Sequence, residues 1–230
     1  MKIASIIGAR PQFVKAALIS QKIKENNFLD ELLIHTGQHY DQNMSGIFFN
    51  QLKIAPPSYN LGINQLNRGE MVDQMVVEIN KILTKKRIDG ILVYGDTNST
   101  LAASIAAKKL DLPLFHVEAG LRSFNRLMIE ENNRIITDHL SSLLFCPTEN
   151  SITNLKNENL HNGVIFSGDV MYDIFLKYFP EIEHFKKNIF NSDYLLSTIH
   201  RRENIESQKD LSIEEPSFKP HKKNLNICYF

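Results

Sequence analysis

Short apolar runs alternate with longer amphipathic segments along most of this chain. The apolar runs have the length of strands, and they predict strands at residues 3–7, 32–35, 90–94, 114–117, 143–146, 164–166 and 194–199. The clearest helical period runs from Gly69 to Lys86, where apolar residues between Val72 and Leu83 share one face. A repeated strand-helix order predicts an α/β fold, in which helices cover both faces of a parallel sheet.

Polar, glycine-containing segments follow the predicted strands. In parallel sheets of this kind, ligands bind beyond the carboxyl ends of the strands. A carboxylate at the end of a buried element costs desolvation free energy unless it has a partner or a chemical role. The functional site is therefore predicted at this edge of the sheet. The segments concerned are residues 8–11, 36–39, 95–98, 118–122 and 147–149.

The alternation of elements stops soon after residue 200. Residues 207–224 contain two prolines and scattered charges without a sustained period, and a second domain of ordinary size needs about 100 further residues. The expected organisation is an N-terminal Rossmann-like domain at 1–175, then a linker helix and the start of a second domain at 176–206. Residues 207–230 are expected to be an aberrant or disordered tail of a truncated enzyme.

Composition narrows the choice of partners. Lysine plus arginine and aspartate plus glutamate both number 26, so the formal net charge is zero and gives no general attraction to nucleic acid or to an acidic membrane surface. Cys146 and Cys228 lie far apart and outside any zinc-binding cluster, as is typical of a reducing compartment. No apolar run approaches the roughly 18 residues of a spanning helix. We therefore expect a cytoplasmic protein without a metal site.

The turn after the first predicted strand has features of a phosphate site. Gly8 permits a tight turn, Pro11 suits the first turn of a helix, and free amides together with Arg10 and Lys15 can neutralise a diphosphate. An ordinary strand-to-helix turn with surface cations explains the same residues equally well. The GxGxxG fingerprint is absent, which disfavours a nicotinamide dinucleotide.

Two acidic residues follow predicted strands directly. Asp96 is either a catalytic base or, with Thr97, part of a capping cluster for the next helix. Glu118 is either a reactive carboxylate or one half of a salt bridge with Arg122. From the residues alone, both structural roles are at least as well supported as the chemical ones.

A third acidic segment begins a predicted helix. Glu130 and Glu131 stand in its first turn, where acids are favourable for the helix dipole alone. Carboxylates from three separate segments that face one cleft are harder to explain by structure only. Carboxyl groups whose pKa values are pushed apart serve general acid and base catalysis.

The histidines have different expected roles. His35 and His39 lie four residues apart on a loop, where a metal site is not expected. His116 lies inside an apolar strand and is expected to be a hydrogen-bonded core residue. His200 precedes a dense polar group that suits an anionic ligand or, almost equally well, a solvated loop.

Together, the segments at the strand ends resemble the non-hydrolysing UDP-N-acetylglucosamine 2-epimerases. They occur in family order and cover residues 1 to about 205. The matching segments are GARPQFVK at 8–15, TGQHY at 36–40, YGDTNST at 94–100, HVEAGLRS at 116–123, Glu130-Glu131 with Asn133-Arg134, PTE at 147–149 and HRREN at 200–204.

This resemblance implies a GT-B architecture, in which the active site lies between two Rossmann-like domains. It implies an isomerase that inverts the sugar C2 by eliminating UDP to a 2-acetamidoglucal and adding it back. The family includes bacterial enzymes of surface-polysaccharide precursor synthesis. Its members are commonly homodimers without a metal or redox cofactor, so the expected partners are a UDP-sugar and a second copy of the chain.

The resemblance also implies roles for individual residues. Arg10, Lys15 and His200 are expected to stabilise the diphosphate and the departing charge, and which carboxylate takes the proton stays open. The expected catalytic residues are Asp96, Glu118, Glu130 and His200. The expected UDP-sugar contacts are Arg10, Lys15, Arg122, Glu131, Arg134 and Arg201.

The chain also departs from the family pattern. Ile129 stands where members usually have proline, which is expected to loosen the loop that aims Glu130, and Asn132 stands where they have an apolar residue. The second domain of the family supplies most contacts to uridine and ribose, and the resemblance stops after its first strand and loop. The alternatives to an active epimerase are a non-catalytic remnant, a 2-epimerase of a UDP-2,3-diacetamido uronic acid, and a hydrolysing epimerase.

Overall fold

The structure is a computed structural model that describes residues 1–38, 52, 54–64, 67–184, 194–197 and 226–229. It divides into two compact units, Met1–Tyr178 and Phe179–Phe230. The strands are β1 Lys2–Ile7, β2 Asp30–His35, β3 Tyr59–Asn60, β4 Gly90–Tyr94, β5 Leu114–Val117, β6 Leu143–Cys146, β7 Val164–Phe166, β8 Tyr194–Ser197 and β9 Asn226–Tyr229. The helices are α1 Arg10–Glu25, α2 Arg68–Lys85, α3 Asn98–Lys109, α4 Ile129–Leu140, α5 Glu149–Asn157 and α6 Val170–His184.

The first unit contains one seven-stranded sheet with the order β3-β2-β1-β4-β5-β6-β7. Every neighbouring pair is parallel. The predicted α/β class with a Rossmann-like parallel sheet is therefore confirmed. Strand β3 was not predicted, because its two residues are too few to give an alternating pattern.

Apolar clusters fill both faces of this sheet. On one face α2 and α3 pack on the central strands, and on the other face α1 and part of α6 do so. The predicted apolar face of α2 is buried from Val72 to Leu83, and Asn67 caps the helix by accepting the Glu70 N–H. Among the helices that the structure describes, none is both long enough and apolar enough to cross a membrane.

The second unit contains a two-stranded parallel sheet of β8 and β9. Strand β8 confirms the prediction at 194–199 as far as Ser197. Strand β9 lies within residues 207–230, which were expected to be an aberrant or disordered tail, and the rest of that range lies outside the described residues. That expectation depended on the prolines and charges of residues 207–224, whereas Ile227 and Tyr229 are of the β-branched and aromatic types that favour strands.

Candidate active site

The carboxyl ends of β4 and β5 lie side by side, because the Gly95 N–H donates to the Val117 carbonyl at 3.0 Å. Asp96 and Glu118 follow these two ends directly. Glu118 has a φ of 73°, in the left-handed region that costs a non-glycine residue about 1–3 kcal/mol. Its N–H donates to the Phe145 carbonyl at 3.1 Å, which helps to hold this conformation. A strained acidic residue at this edge is consistent with a chemical role.

Lys15 of α1 forms an ion pair with Glu118. A salt bridge with Arg122 was one of the two roles considered for Glu118, but the structure pairs Arg122 with Asp138 and Glu158 instead. The Lys15 side chain is only 9% exposed and that of Glu118 is 18% exposed. A Cβ on Gly95 would lie 3.2 Å from Lys15 Nζ, so the glycine leaves room for the ammonium group. Lys15 is therefore a cation between the turns that carry Asp96 and Glu118.

Arg134 of α4 connects two acidic residues. Its Nη2 pairs with Asp96 Oδ2, and its Nη1 lies 3.2 Å from Glu131 Oε2. The same Nη1 also donates to the Leu121 carbonyl at 3.3 Å. The Arg134 side chain is mostly buried, whereas a quarter of Asp96 is exposed. Asp96 therefore has a fixed position beside a cation and remains open to solvent.

Glu131 holds the loop before α4. It is 1% exposed and accepts hydrogen bonds from the Ser123 N–H at 2.8 Å, the Ser123 hydroxyl at 3.0 Å and the Phe124 N–H at 3.0 Å. Burial alone would raise the pKa of Glu131, but these bonds and Arg134 outweigh burial and lower the pKa. Its neighbour Glu130 is exposed in the first turn of α4. Glu131, and not Glu130, therefore belongs to the connected charge cluster.

The lowered pKa of Glu131 predicts an acid-sensitive contribution to stability. Its ionised form contributes fully above the unfolded pKa of about 4.5, and the contribution is lost as the pH falls through the lower folded pKa. Glu131→Gln is expected to reduce the free energy of unfolding by about 2 kcal/mol at pH 7, and by less in acid. Urea unfolding at several pH values measures this. Glu149→Gln, at an exposed first-turn position, is the control, and equal effects of the two changes would contradict the prediction.

The two residues at which the chain departs from the family motif, Ile129 and Asn132, both lie in the first turn of α4. Ile129 is the first residue of α4, the helical position at which proline is most favourable. The Asn132 amide donates to the Arg126 carbonyl at 2.9 Å and to the Met128 carbonyl at 3.1 Å. These bonds join Asn132 to the loop before α4, the segment that was expected to loosen without proline.

Gln12 occupies the turn that was predicted to bind a diphosphate. Its Oε1 accepts the Gly8 N–H at 2.8 Å and the Ala9 N–H at 3.0 Å. Its Nε2 donates to the Tyr94 carbonyl at 3.0 Å and to Thr100 Oγ1 at 2.9 Å. The expectation that these amides are free for phosphate is therefore wrong, because a buried glutamine side chain already satisfies them.

Gly8 is required by close packing. A Cβ at this position would overlap Ser99 Oγ and Thr36 Oγ1, which lie 2.8 Å apart in a hydrogen bond. Ser99 Oγ also donates to Gln38 Oε1 at 2.8 Å. These residues stood within the motifs quoted above, but nothing in their spacing indicated that they meet. The side chains of Thr36, Gln38 and Ser99 form a hydrogen-bonded polar cluster at the carboxyl edge of the sheet.

A buried polar network lies beneath the charge cluster. His116 is fully buried, and its Nδ1 and Nε2 lie 2.7 Å from Asp138 Oδ1 and from the Gly95 carbonyl, respectively. The prediction of a hydrogen-bonded core histidine is confirmed. Asp138 Oδ2 accepts the Gly120 N–H at 3.1 Å and lies 2.7 Å from Arg122 Nη1.

Arg122 has a structural position in this network. Its Nε and Nη2 donate to the two carboxylate oxygens of Glu158, each at 2.7 Å. Its Nη1 also donates to the Leu121 carbonyl at 2.7 Å, and the side chain is 1% exposed. The protein itself thus engages the guanidinium that was predicted to contact substrate. Sequence reasoning missed Asp138 and Glu158, because an acid in the last turn of a helix and an acid just past the end of one follow no motif.

The predicted site residues therefore divide into groups. Arg10 and Glu130 are exposed at the starts of α1 and α4. His200 and Arg201 lie outside the described residues, as does His39, where no metal site was expected. The residues that the structure brings together are Lys15, Asp96, Glu118, Glu131 and Arg134.

Comparison with known proteins identifies the family. The family model described as UDP-N-acetylglucosamine 2-epimerase matches residues 21–223. The chain belongs to this family. Members of this epimerase family are UDP-sugar 2-epimerases, which are isomerases. The match continues to residue 223, well beyond the end of the motif resemblance near residue 205.

Two curated relatives illustrate the similarity. A UDP-N-acetylglucosamine 2-epimerase homolog from Methanococcus maripaludis is 48% identical over 92% of this chain and 60% of its own length. A UDP-2,3-diacetamido-2,3-dideoxy-D-glucuronate 2-epimerase from Pseudomonas aeruginosa is 49% identical over 90% of this chain and 59% of its own length. The chain thus spans about 60% of the length of these epimerase relatives.

A solved epimerase structure shares the fold. The Methanocaldococcus jannaschii UDP-GlcNAc 2-epimerase, crystallised in complex with UDP-GlcNAc and UDP, superposes with a TM-score of 0.88 and 37% identity. The alignment covers 100% of this chain and 66% of the M. jannaschii chain. The expected GT-B type of α/β fold is therefore confirmed.

Proposed function

We propose that this protein is a UDP-sugar 2-epimerase that inverts C2 of a UDP-2-acetamido sugar by eliminating UDP and adding it back. The observation that carries the proposal is the charge cluster at the carboxyl edge of the sheet. In this chain, Asp96 and Glu118 lie at adjacent strand ends. Asp96 is paired with Arg134, and Glu118 is paired with Lys15. A family match alone gives the class, whereas this cluster supplies the groups that the reaction needs.

The reaction requires two proton transfers at one carbon, a removal and a return. A base removes the C2 proton while the C1–O bond to UDP breaks, and the electron pair forms the C1–C2 double bond of the glucal. Inversion follows when a proton returns to the opposite face of C2 and the UDP oxygen bonds again to C1. Because the two faces need different groups, two carboxylates on separate turns suit the reaction. Asp96 and Glu118 are our candidates for this pair.

Cations stabilise the departing diphosphate. UDP leaves with negative charge, and preorganised cations in a partly buried site favour that charge without further reorganisation. Lys15 and Arg134 lie within the cluster and are supported by their contacts. Arg10, His200 and Arg201 are proposed diphosphate contacts on the motif resemblance, and Glu130 is proposed as a third catalytic carboxylate. No step of this scheme uses a metal or a redox cofactor.

A second substrate has its own support. The P. aeruginosa relative that is named for UDP-2,3-diacetamido-2,3-dideoxy-D-glucuronate is 49% identical to this chain, whereas the M. jannaschii relative that is named for UDP-N-acetylglucosamine is 41% identical. The two sugars carry the same acetamido group at C2, so one mechanism serves both. We propose UDP-N-acetylglucosamine as the first substrate and the diacetamido uronate as the alternative.

The wider setting of the activity follows from the motif resemblance. We propose that the protein acts in the cytoplasm, in the synthesis of precursors for a surface polysaccharide such as capsule or O-antigen, and that it forms a homodimer. The zero net charge is consistent with a small-molecule substrate in place of nucleic acid.

A comparison of the two UDP-sugars tests the proposal. The purified chain is incubated with each sugar, and the C2 epimers are separated and identified by NMR. Conversion of either sugar is the expected result, and the faster one identifies the substrate. Release of free N-acetylmannosamine would indicate a hydrolysing epimerase instead. If neither sugar is converted, and UDP binds no more tightly than inorganic phosphate, the chain is a non-catalytic member of the family.

A further inference from the structure

His116 lies between two hydrogen-bond acceptors. Its Nε2 lies 2.7 Å from the Gly95 carbonyl, and its Nδ1 lies 2.7 Å from Asp138 Oδ1. A carbonyl oxygen can only accept, and an ionised carboxylate can only accept. A neutral imidazole has one protonated nitrogen, so one of these contacts would bring a lone pair against an acceptor. Both contacts are hydrogen bonds if the ring carries two protons, or if Asp138 carries one.

The surroundings of Asp138 decide where the proton lies. Asp138 Oδ2 accepts the Gly120 N–H at 3.1 Å and is 2.7 Å from Arg122 Nη1. Burial alone would raise the pKa of Asp138, whereas the Arg122 guanidinium and the Gly120 N–H, which both face Oδ2, favour its ionised form. The carboxylate is therefore ionised, and the second proton belongs to the ring. Glu158, which accepts two bonds from Arg122, completes an alternating row of charges.

The ring also connects the parts of the site. Gly95 ends β4 and precedes Asp96, with a φ of 61°, while Gly120 follows Glu118 after one residue. Through its two bonds His116 ties the Gly95 carbonyl to Asp138 of α4, and Asp138 in turn holds the Gly120 amide. The His116–Asp138 pair therefore joins the turn that carries Asp96 to the turn that carries Glu118.

We propose that His116 is a doubly protonated imidazolium that acts as a positioning residue, fixing the turn before Asp96 relative to the turn after Glu118. The inference about the ring is independent of substrate. Its importance for the acid and base pair rests on the proposed function. His116 itself is fully buried and does not touch the substrate in this scheme.

NMR of the whole chain, labelled with nitrogen-15 in histidine, tests the protonation state. We expect both ring nitrogens of His116 to carry protons that exchange slowly with water, because the ring is buried. An unprotonated ring nitrogen would overturn the proposal. In Asp138→Asn, the new amide can donate to Nδ1, so we expect the ring to lose that proton and keep Nε2–H on the Gly95 carbonyl. Unchanged ring signals in this variant would also overturn the proposal.

A second comparison tests positioning. In His116→Gln one of the two acceptors loses its donor, so we expect the backbone amide and side-chain carboxyl signals of Asp96 to shift. Amide exchange at Gly95, whose N–H donates to the Val117 carbonyl, is expected to rise at least about tenfold. In Asp138→Asn the Nε2–H bond to the Gly95 carbonyl remains, so we expect the Asp96 signals to shift less than in His116→Gln. His161→Gln, at an exposed position between α5 and β7, is the matched control. Unchanged Asp96 signals in folded His116→Gln would refute the positioning role. If that variant does not fold, His116→Asn takes its place, and unchanged Asp96 signals in that folded variant would refute the role.

These signals do not depend on turnover. The unchanged chain could fail to epimerise UDP-sugars and still show the doubly protonated ring, with shifted Asp96 signals in His116→Gln. That result would disprove the proposed function but leave the inference about His116 intact. For an active chain, His116→Gln is expected to lower kcat more than it raises KM, because it displaces a reacting group and leaves the nucleotide contacts in place.

Discussion

Asp96→Asn is expected to lower the rate of C2 proton exchange in the UDP-sugar by about 10²–10⁴-fold. The asparagine amide keeps the size of the side chain but can neither take nor return a proton. It also ends the ion pair with Arg134, which retains its contacts with Glu131 and the Leu121 carbonyl. NMR of the sugar C2 signal in heavy water measures the exchange rate, and circular dichroism shows whether the variant is folded.

Asp30→Asn is the matched control for this change. Asp30 is a carboxylate at the amino end of β2, on the opposite edge of the sheet, and forms a surface ion pair with Lys2 at 3.2 Å. We expect the Asp30→Asn protein to exchange the C2 proton as fast as the unchanged chain. A surface ion pair of this kind contributes only about 0–1 kcal/mol to the free energy of unfolding. A folded Asp96→Asn protein that exchanges as fast as the control would exclude Asp96 as the acid or base.

Arg122→Ala is expected to cost about 3–5 kcal/mol of the free energy of unfolding. The change leaves Asp138 and Glu158 without the guanidinium that donates to Glu158 and neutralises both acids in a buried network. Removing one partner of a buried charge network costs more than the network itself contributes, because uncompensated charge remains. Urea unfolding followed by circular dichroism gives the free energy difference.

Arg126→Ala serves as the comparison, because Arg126 lies in the same loop and is exposed. We expect it to change stability by less than about 0.5 kcal/mol. If Arg122→Ala is as stable as Arg126→Ala and only UDP-sugar binding is lost, then Arg122 is a substrate contact, as the motif resemblance implied. If Arg122→Ala instead lowers the free energy of unfolding while the folded protein still binds the UDP-sugar, then Arg122 has a structural role.

The sheet was largely predictable because its strands are short apolar runs bounded by glycine and polar residues. Period and composition act locally there, so the six strands from β1 to β7 other than β3 follow from the sequence. The exceptions are informative. Strand β3 has too few residues for a period, and β9 follows a stretch rich in proline and charge that dominated the interpretation.

The site was predictable as an edge of the sheet but not as a set of pairs. The carboxyl ends of parallel strands must meet, which brought Asp96 and Glu118 together in the prediction. The choice of Lys15 over Arg122 as the partner of Glu118 depends on how α1 packs, and side chains far apart in sequence decide it. For the same reason Gln12, Asp138 and Glu158 were missed, since each satisfies polar groups of elements distant along the chain.

The most direct measurement follows hydrogen at C2 of UDP-N-acetylglucosamine, incubated with the folded chain in heavy water. If the protein removes and returns this proton as proposed, NMR will show deuterium at C2 in the recovered substrate and in its epimer. Persistence of the original proton at C2 in a folded sample, with the diacetamido uronate equally inert, would contradict epimerisation by UDP elimination at the Asp96–Glu118 edge.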